Sequence, residues 1–205
     1  MKRIGKMAGL LAAAIGLAAG LTMAGTGAAR ADVVPPVGQW VEIFNPYLHA
    51  QGNTLCFYDP NGSTSSGTQL QLWRCHGYAS NGAPQRWVFI QPEDNNGNLI
   101  YWGGLPVYQI YNLAAGKCFT ATNLGAGMPL SLVNCTTNGV TTAGTWWQFL
   151  SPNGPASPDF QLYPWPIGEG YNTCVAASNY TDGNGTRLVM ATCDRYDTGQ
   201  IWNLG

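Results

Sequence analysis

Apolar and polar residues alternate along this chain in short runs, and Gly, Asn and Pro separate the runs. Successive side chains on a strand point to opposite faces, so a period of two marks a half-buried strand. Val41-Glu42-Ile43-Phe44-Asn45, Tyr108-Gln109-Ile110-Tyr111-Asn112 and Phe160-Gln161-Leu162-Tyr163-Pro164 have this alternation. So do Leu70-Gln71-Leu72, Leu130-Ser131-Leu132 and Leu188-Val189-Met190. Apart from an N-terminal apolar run, no long stretch shows the 3.6-residue period of a helix. Many short strands with regular turn signals predict an all-β barrel or sandwich.

The strands belong to a threefold repeat. The second strand of each unit leads into a cysteine in the form G-x-x-L-x-[LM]-x-x-C. Its copies start at Gly67, Gly127 and Gly185 and end at Cys75, Cys135 and Cys193. A tryptophan follows each copy: Trp87 in Gln85-Arg86-Trp87, Trp147 in Thr145-Trp146-Trp147 and Trp202 in Gln200-Ile201-Trp202. Each unit reads strand, Cys, loop, strand, Cys, loop, Q-x-W, with the glutamine lost in the middle copy. The units span about residues 40–88, 107–148 and 160–203. One unit cannot bury its own apolar face, but three around a pseudo-threefold axis can share a core. Trp87, Trp147 and Trp202 are the expected core plugs. The connecting segments, Gln91–Pro106 and Ser151–Asp159, are rich in Pro, Gly and Asn and read as surface loops, the first with a small hairpin around Asn95-Asn96-Gly97.

The six cysteines fall into three pairs separated by 19, 17 and 19 positions. This spacing predicts disulfides Cys56–Cys75, Cys118–Cys135 and Cys174–Cys193. A structural zinc site needs close C-x₂₋₄-C ligand pairs, which are missing, so no metal or other cofactor is expected.

The N-terminus places the disulfides in a compartment that sustains them. Lys2, Arg3 and Lys6 precede an apolar run from Met7 to Met23, and Ala29-Arg30-Ala31 then offers an A-x-A site. That order is a secretory signal peptide over residues 1–31, cleaved after Ala31, and it predicts a secreted, extracellular protein with no membrane association after cleavage. The remaining domain, residues 32–205, holds five basic residues (Arg74, Arg86, Lys117, Arg187, Arg195) against ten acids. It therefore lacks the basic footprint of a nucleic-acid binder.

Three Cys-paired repeats, each closed by a tryptophan in or near Q-x-W, resemble the ricin B-type lectin family (R-type, Q-x-W repeat). Tyr108-Gln109-Ile110-Tyr111-Asn112-Leu113-Ala114-Ala115-Gly116-Lys117-Cys118 is close to that family's usual lead into a repeat. The resemblance covers nearly all of residues 32–205. It implies a β-trefoil of three pseudo-symmetric repeats and a non-catalytic, calcium-free carbohydrate-binding module for galactosides or polysaccharides. In the family a repeat's sugar site uses an Asp soon after the first Cys. A Gln and an aromatic precede the second Cys, and a polar residue follows it. The first repeat matches best, with Asp59, Gln71, Trp73 and His76, and Gln85 as a further polar group. A pyranose stacks its apolar face on an aromatic ring, and its hydroxyls bond to fixed amides and carboxylates. Asp59 lies three positions after Cys56, one further than the family's Asp, and Tyr58 takes that place. Val133 and Ala191 replace the stacking aromatic in repeats two and three, and Thr120 and Ala176 replace the Asp.

Two other classes stand beside the lectin. One is a protein-interaction or inhibitor module on the same scaffold, since fold does not fix function. Its motivation is the two eroded repeats and the inter-repeat segments, where Trp102 and Trp165 could form an additional surface. The other is a small glycosidase, which needs two carboxylates at a defined separation. No such pair is evident, and G-x-S-x-G, H-E-x-x-H and phosphate-loop motifs are missing.

Overall fold

The computed structural model describes residues 31–50, 52–77, 80–135, 145–154, 157–165, 172–180 and 183–205. The expected signal peptide lies outside them, apart from Ala31. Among the described residues no helix is long and apolar enough to cross a membrane.

The alternating runs form strands. Repeat one holds β3 (Ile43–Ala50), β4 (Asn53–Tyr58), β5 (Gln71–Arg74) and β6 (Trp87–Ile90), preceded by short β1 (Ala31–Asp32) and β2 (Trp40–Val41). After β7 (Tyr101–Trp102) and β8 (Leu105–Pro106), repeat two holds β9 (Gln109–Asn112), β10 (Lys117–Ala121), β11 (Leu130–Val133) and β12 (Trp147–Ser151). Repeat three holds β13 (Gln161–Pro164), β14 (Thr173–Ala177), β15 (Leu188–Thr192) and β16 (Asn203–Leu204). In every repeat the second and third strands pair antiparallel, and the expected disulfide joins the repeat's two cysteines: Cys56–Cys75, Cys118–Cys135 and Cys174–Cys193.

Two sets of cross-repeat contacts make one fold from the three units. The last strand of each repeat pairs with the first strand of the next: β6 with β9, β12 with β13, and β16 back to β3. Within the repeats, Val41 pairs with Trp87, Tyr108 with Trp147 and Phe160 with Trp202, which links these pairs into a closed ring. At the other end the third strands meet around the axis. Leu72 N–H donates to Thr186 O, Leu132 N–H to Thr68 O and Met190 N–H to Met128 O. The return bonds run from Gly185 N–H to Leu72 O, Gly67 N–H to Leu132 O and Gly127 N–H to Met190 O. These three glycines, the first residue of each G-x-x-L motif, have φ of 87°, 83° and 87° for Gly67, Gly127 and Gly185. That left-handed conformation excludes most side chains, which explains the shared residue.

The core sits between the ring and this axial triangle. Trp87, Trp147 and Trp202 are fully buried, and each indole N–H donates to the carbonyl of the residue after a first cysteine: Phe57, Phe119 and Val175. Phe119 stacks on Trp147 at 4.4 Å, and Phe57 meets Trp202 edge-on at 4.7 Å, which ties repeat one to repeat three. Asn45 and Asn112 repeat a second device. Each accepts two backbone N–H bonds from its own turn, and each donates across to a neighbouring Q-x-W loop, at Thr198 O and Pro84 O. The first connecting segment is more ordered than a plain loop. Glu93 bridges Leu99 around a turn at Gly97, and β7–β8 form a second hairpin around Gly103-Gly104.

Trp202→Ala removes a buried ring, its hydrogen bond to Val175 O and its contact with Phe57. The expected loss is about 3–5 kcal/mol, read from the midpoint of a chemical denaturation curve.

Candidate functional site

The first repeat presents an aromatic pair on the β4–β5 hairpin. Register decides which residues share a face: Cys56 lies opposite Trp73, Phe57 opposite Leu72, and Tyr58 opposite Gln71. Phe57 and Leu72 are fully buried, so Tyr58, Gln71 and Trp73 lie on the other face, all half-buried. The Tyr58 and Trp73 rings are 5.5 Å apart and inclined by 35°, a continuous apolar platform with Gln71 beside it. The Tyr58 hydroxyl accepts the Asn61 backbone N–H at 3.0 Å, which fixes its ring from the Pro60–Gly62 turn. Asn61 holds φ 59°, a conformation that Asn tolerates well.

Asp59 falls elsewhere. One residue beyond Tyr58, it takes the opposite parity and turns inward. It is fully buried, with 0% of its surface exposed. The equivalent residues of the other repeats are Ala121 and Ala177, both buried. A carboxylate thus occupies a slot filled by a methyl group elsewhere in the molecule. Neither carboxylate oxygen has a hydrogen-bond partner among the described residues. Burial pushes its carboxyl up to about 6, opposed by the nearby Ser63 backbone N–H, which does not reach hydrogen-bond geometry.

Gln85 is also fully buried and braces the hairpin from behind. Its Oε1 accepts the His76 backbone N–H at 2.8 Å, and its Nε2 donates to Arg74 O at 2.9 Å. Gln200 holds the same place in repeat three, accepting from Asp194 N–H and donating to Thr192 O. The Q-x-W glutamine therefore spans the residues on either side of the second cysteine. His76 is half-buried and belongs to a different cluster, with Glu42 and Arg86 beside the Cys56–Cys75 disulfide. Burial raises the Glu42 carboxyl, against the lowering effects of the Gly77 backbone N–H, His76 and Arg86. The Arg86 guanidinium lies over the Trp40 ring at 4.4 Å.

Of the five residues expected to touch sugar, the structure gathers Gln71 and Trp73 on one outer face. It places Asp59 and Gln85 beneath that face and His76 in the cluster with Glu42. Tyr58 is the residue that sequence reasoning passed over, because it was read as the occupant of a lost Asp position. Strand parity carried the signal, since Tyr58 shares its face with Cys56 and hence with Trp73. Repeats two and three offer no counterpart. Val133 and Ala191 lie opposite Cys118 and Cys174, and Thr120 and Ala176 at the Tyr58 position are buried.

An acid held above its ordinary range destabilises the fold as it ionises. The Asp59 penalty is absent well below pH 4, grows as pH rises towards about 6, and is complete above that. Asp59→Ala is expected to be more stable than the parent at pH 8 by about 1–3 kcal/mol, with a smaller gap at pH 4. Denaturation midpoints at the two pH values check it; an unchanged gap would show that ionisation of Asp59 is not the cause.

No family model matches the chain, and no curated protein matches it. Solved structures do. A designed threefold symmetric protein, ThreeFoil, matches with a TM-score of 0.55 at 14% identity, over 80% of this chain and 96% of its own. The Macrolepiota procera ricin B-like lectin, solved in complex with lactose, matches with a TM-score of 0.54 at 16% identity, over 84% and 98%. The Rhizoctonia solani agglutinin matches with a TM-score of 0.56 at 15% identity, over 85% and 98%. With its closed ring, axial triangle and one disulfide per repeat, the chain is a β-trefoil, similar in fold to the ricin B-like lectins.

Proposed function

We propose that this protein is a secreted, non-catalytic carbohydrate-binding module whose sugar site is the Tyr58–Trp73 platform of repeat one. The observation that carries the reading is the aromatic pair itself. Two half-buried rings on one hairpin face give a pyranose an apolar surface to cover, and Gln71 beside them supplies an amide donor and acceptor for its hydroxyls. A tyrosine here in place of an aspartate exchanges a carboxylate acceptor for ring area. Recognition then rests on stacking more than on charge, which suits neutral galactosides or polysaccharides. Asp59, Gln85 and His76 act indirectly: Asp59 sits below the turn that holds Tyr58, and Gln85 sets the backbone at Trp73 and His76. The three disulfides are suited to an extracellular setting, and the expected signal peptide supplies the route there. The lectins among the solved neighbours support the ligand class.

Trp73→Ala and Tyr58→Ala are each expected to weaken binding of lactose or a soluble polysaccharide at least tenfold, and Gln71→Ala several-fold. Gln85→Ala is expected to lower thermal stability before it alters affinity. Titration calorimetry on folded variants checks this. Undiminished binding by both aromatic variants would remove the site from repeat one.

A further inference from the structure

Four tryptophans lie outside the repeat pattern, and three of them converge. Trp102 comes from the β7–β8 hairpin, Trp146 from the segment before β12, and Trp165 from the end of β13. Trp102 and Trp165 meet edge-on, with ring centroids 5.6 Å apart at 89°. Trp146 and Trp165 are 5.1 Å apart at 43°. Trp146 is buried, Trp165 is half-buried, and Trp102 is 44% exposed. A groove of about 440 Å³ runs along this cluster, walled by Trp146 and Trp165 together with Leu99, Tyr101, Asp94 and Asn95. Its volume lies within the ordinary range for a small-molecule site.

The cluster is anchored on both sides. Gln148, buried in β12, donates its amide to Trp102 O at 2.9 Å and to Leu105 O at 3.3 Å. The Trp165 backbone N–H donates to Trp146 O at 2.7 Å. Gly103 and Gly104 both hold positive φ, 58° and 81°, which makes the two-residue turn that returns β7 into β8. At the rim, Asp94 accepts the backbone N–H groups of Asn96 and Asn98 at 2.8 and 2.9 Å, so its carboxylate is fixed in place. These bonds hold the Asp94 carboxyl below its ordinary range. The indole N–H groups of Trp146 and Trp165 are buried without an acceptor among the described residues.

We infer that this groove, together with the exposed Trp102 ring packed on its Trp165 wall, is a second carbohydrate site, one that takes a segment of a neutral polysaccharide chain. Exposed aromatic faces beside a fixed acceptor suit a pyranose, which offers CH surface and hydroxyls together. The described wall residues include no cation to pair with an acidic ligand, and the carboxylate among them, Asp94, is held by its own turn. A hydroxyl oxygen in the groove would also be a natural acceptor for the unpartnered indole donors. The ligand class is the one proposed above for the Tyr58–Trp73 platform, but the two sites share no residue. A polysaccharide that engages both would gain avidity from a single chain.

The test is affinity electrophoresis in gels cast with xylan, a β-1,3-glucan or a β-galactan. The parent runs beside Trp102→Ala, the Tyr58→Ala/Trp73→Ala double variant and the triple combination. The bond from Gln148 goes to the Trp102 backbone carbonyl, which Trp102→Ala retains, and a circular dichroism melt checks that the variant keeps the fold. The expected result is at least a threefold rise in apparent Kd for Trp102→Ala on a polysaccharide that retards the parent. The triple variant should lose retardation altogether. Protection of Trp102 from N-bromosuccinimide oxidation by that same polysaccharide is the independent readout. Parent-like retardation of Trp102→Ala, or no retardation of the parent in any gel, would overturn the second site. Retardation lost in Trp102→Ala but kept in the double variant would uphold it and instead refute the repeat-one platform.

Discussion

Each repeat buries one indole N–H in the core with a backbone acceptor, and this bond organises the molecule. Trp87, Trp147 and Trp202 fill the core, where an unsatisfied donor would cost about 1–3 kcal/mol. Each finds the carbonyl of the residue immediately after a first cysteine. The last strand of every repeat is thereby locked to its second strand, on the far side of a long loop. The disulfide then fixes that second strand to the third. Satisfaction of one polar atom and closure of one covalent loop set the geometry of each unit, and the ring of strand pairs and the axial triangle repeat it three times.

The candidate binding surface follows from departures from the repeat. Where the units agree, their residues are committed to the common core, as Trp87, Trp147 and Trp202 show, or to bracing the turns, as Gln85 and Gln200 do in repeats one and three. Where they differ, side chains are left over. Repeat one keeps two aromatics on the outer face of its hairpin, whereas repeats two and three have the smaller Thr120, Val133, Ala176 and Ala191 there. Three of the tryptophans outside the repeat, Trp102, Trp146 and Trp165, collect where the segment between repeats one and two folds against the ends of β12 and β13. Both candidate sites thus lie at breaks in symmetry, carried on strands that the symmetric core holds rigid. Asp59 shows the opposite case, a charged residue at a position the other repeats treat as core.

The three repeats, the cysteine pairing, the strand alternation and the core tryptophans were legible in the residue order. They depend on local periodicity and on short covalent loops, and both are properties of neighbouring residues. That Gln71 and Trp73 share one face was legible for the same reason, since their positions are counted from Cys75 within one strand. What only the tertiary structure decided was which way the remaining residues face and what they meet. A single step of parity sends Tyr58 outward and Asp59 inward, because alternate residues on a strand take opposite sides. The role of Gln85 depends on backbone atoms across a turn. Trp102, Trp146 and Trp165 are too far apart in sequence for any spacing rule to join them. Their convergence comes from strand pairing between repeats and from the Gln148 clamp, contacts that exist only once the ring has closed.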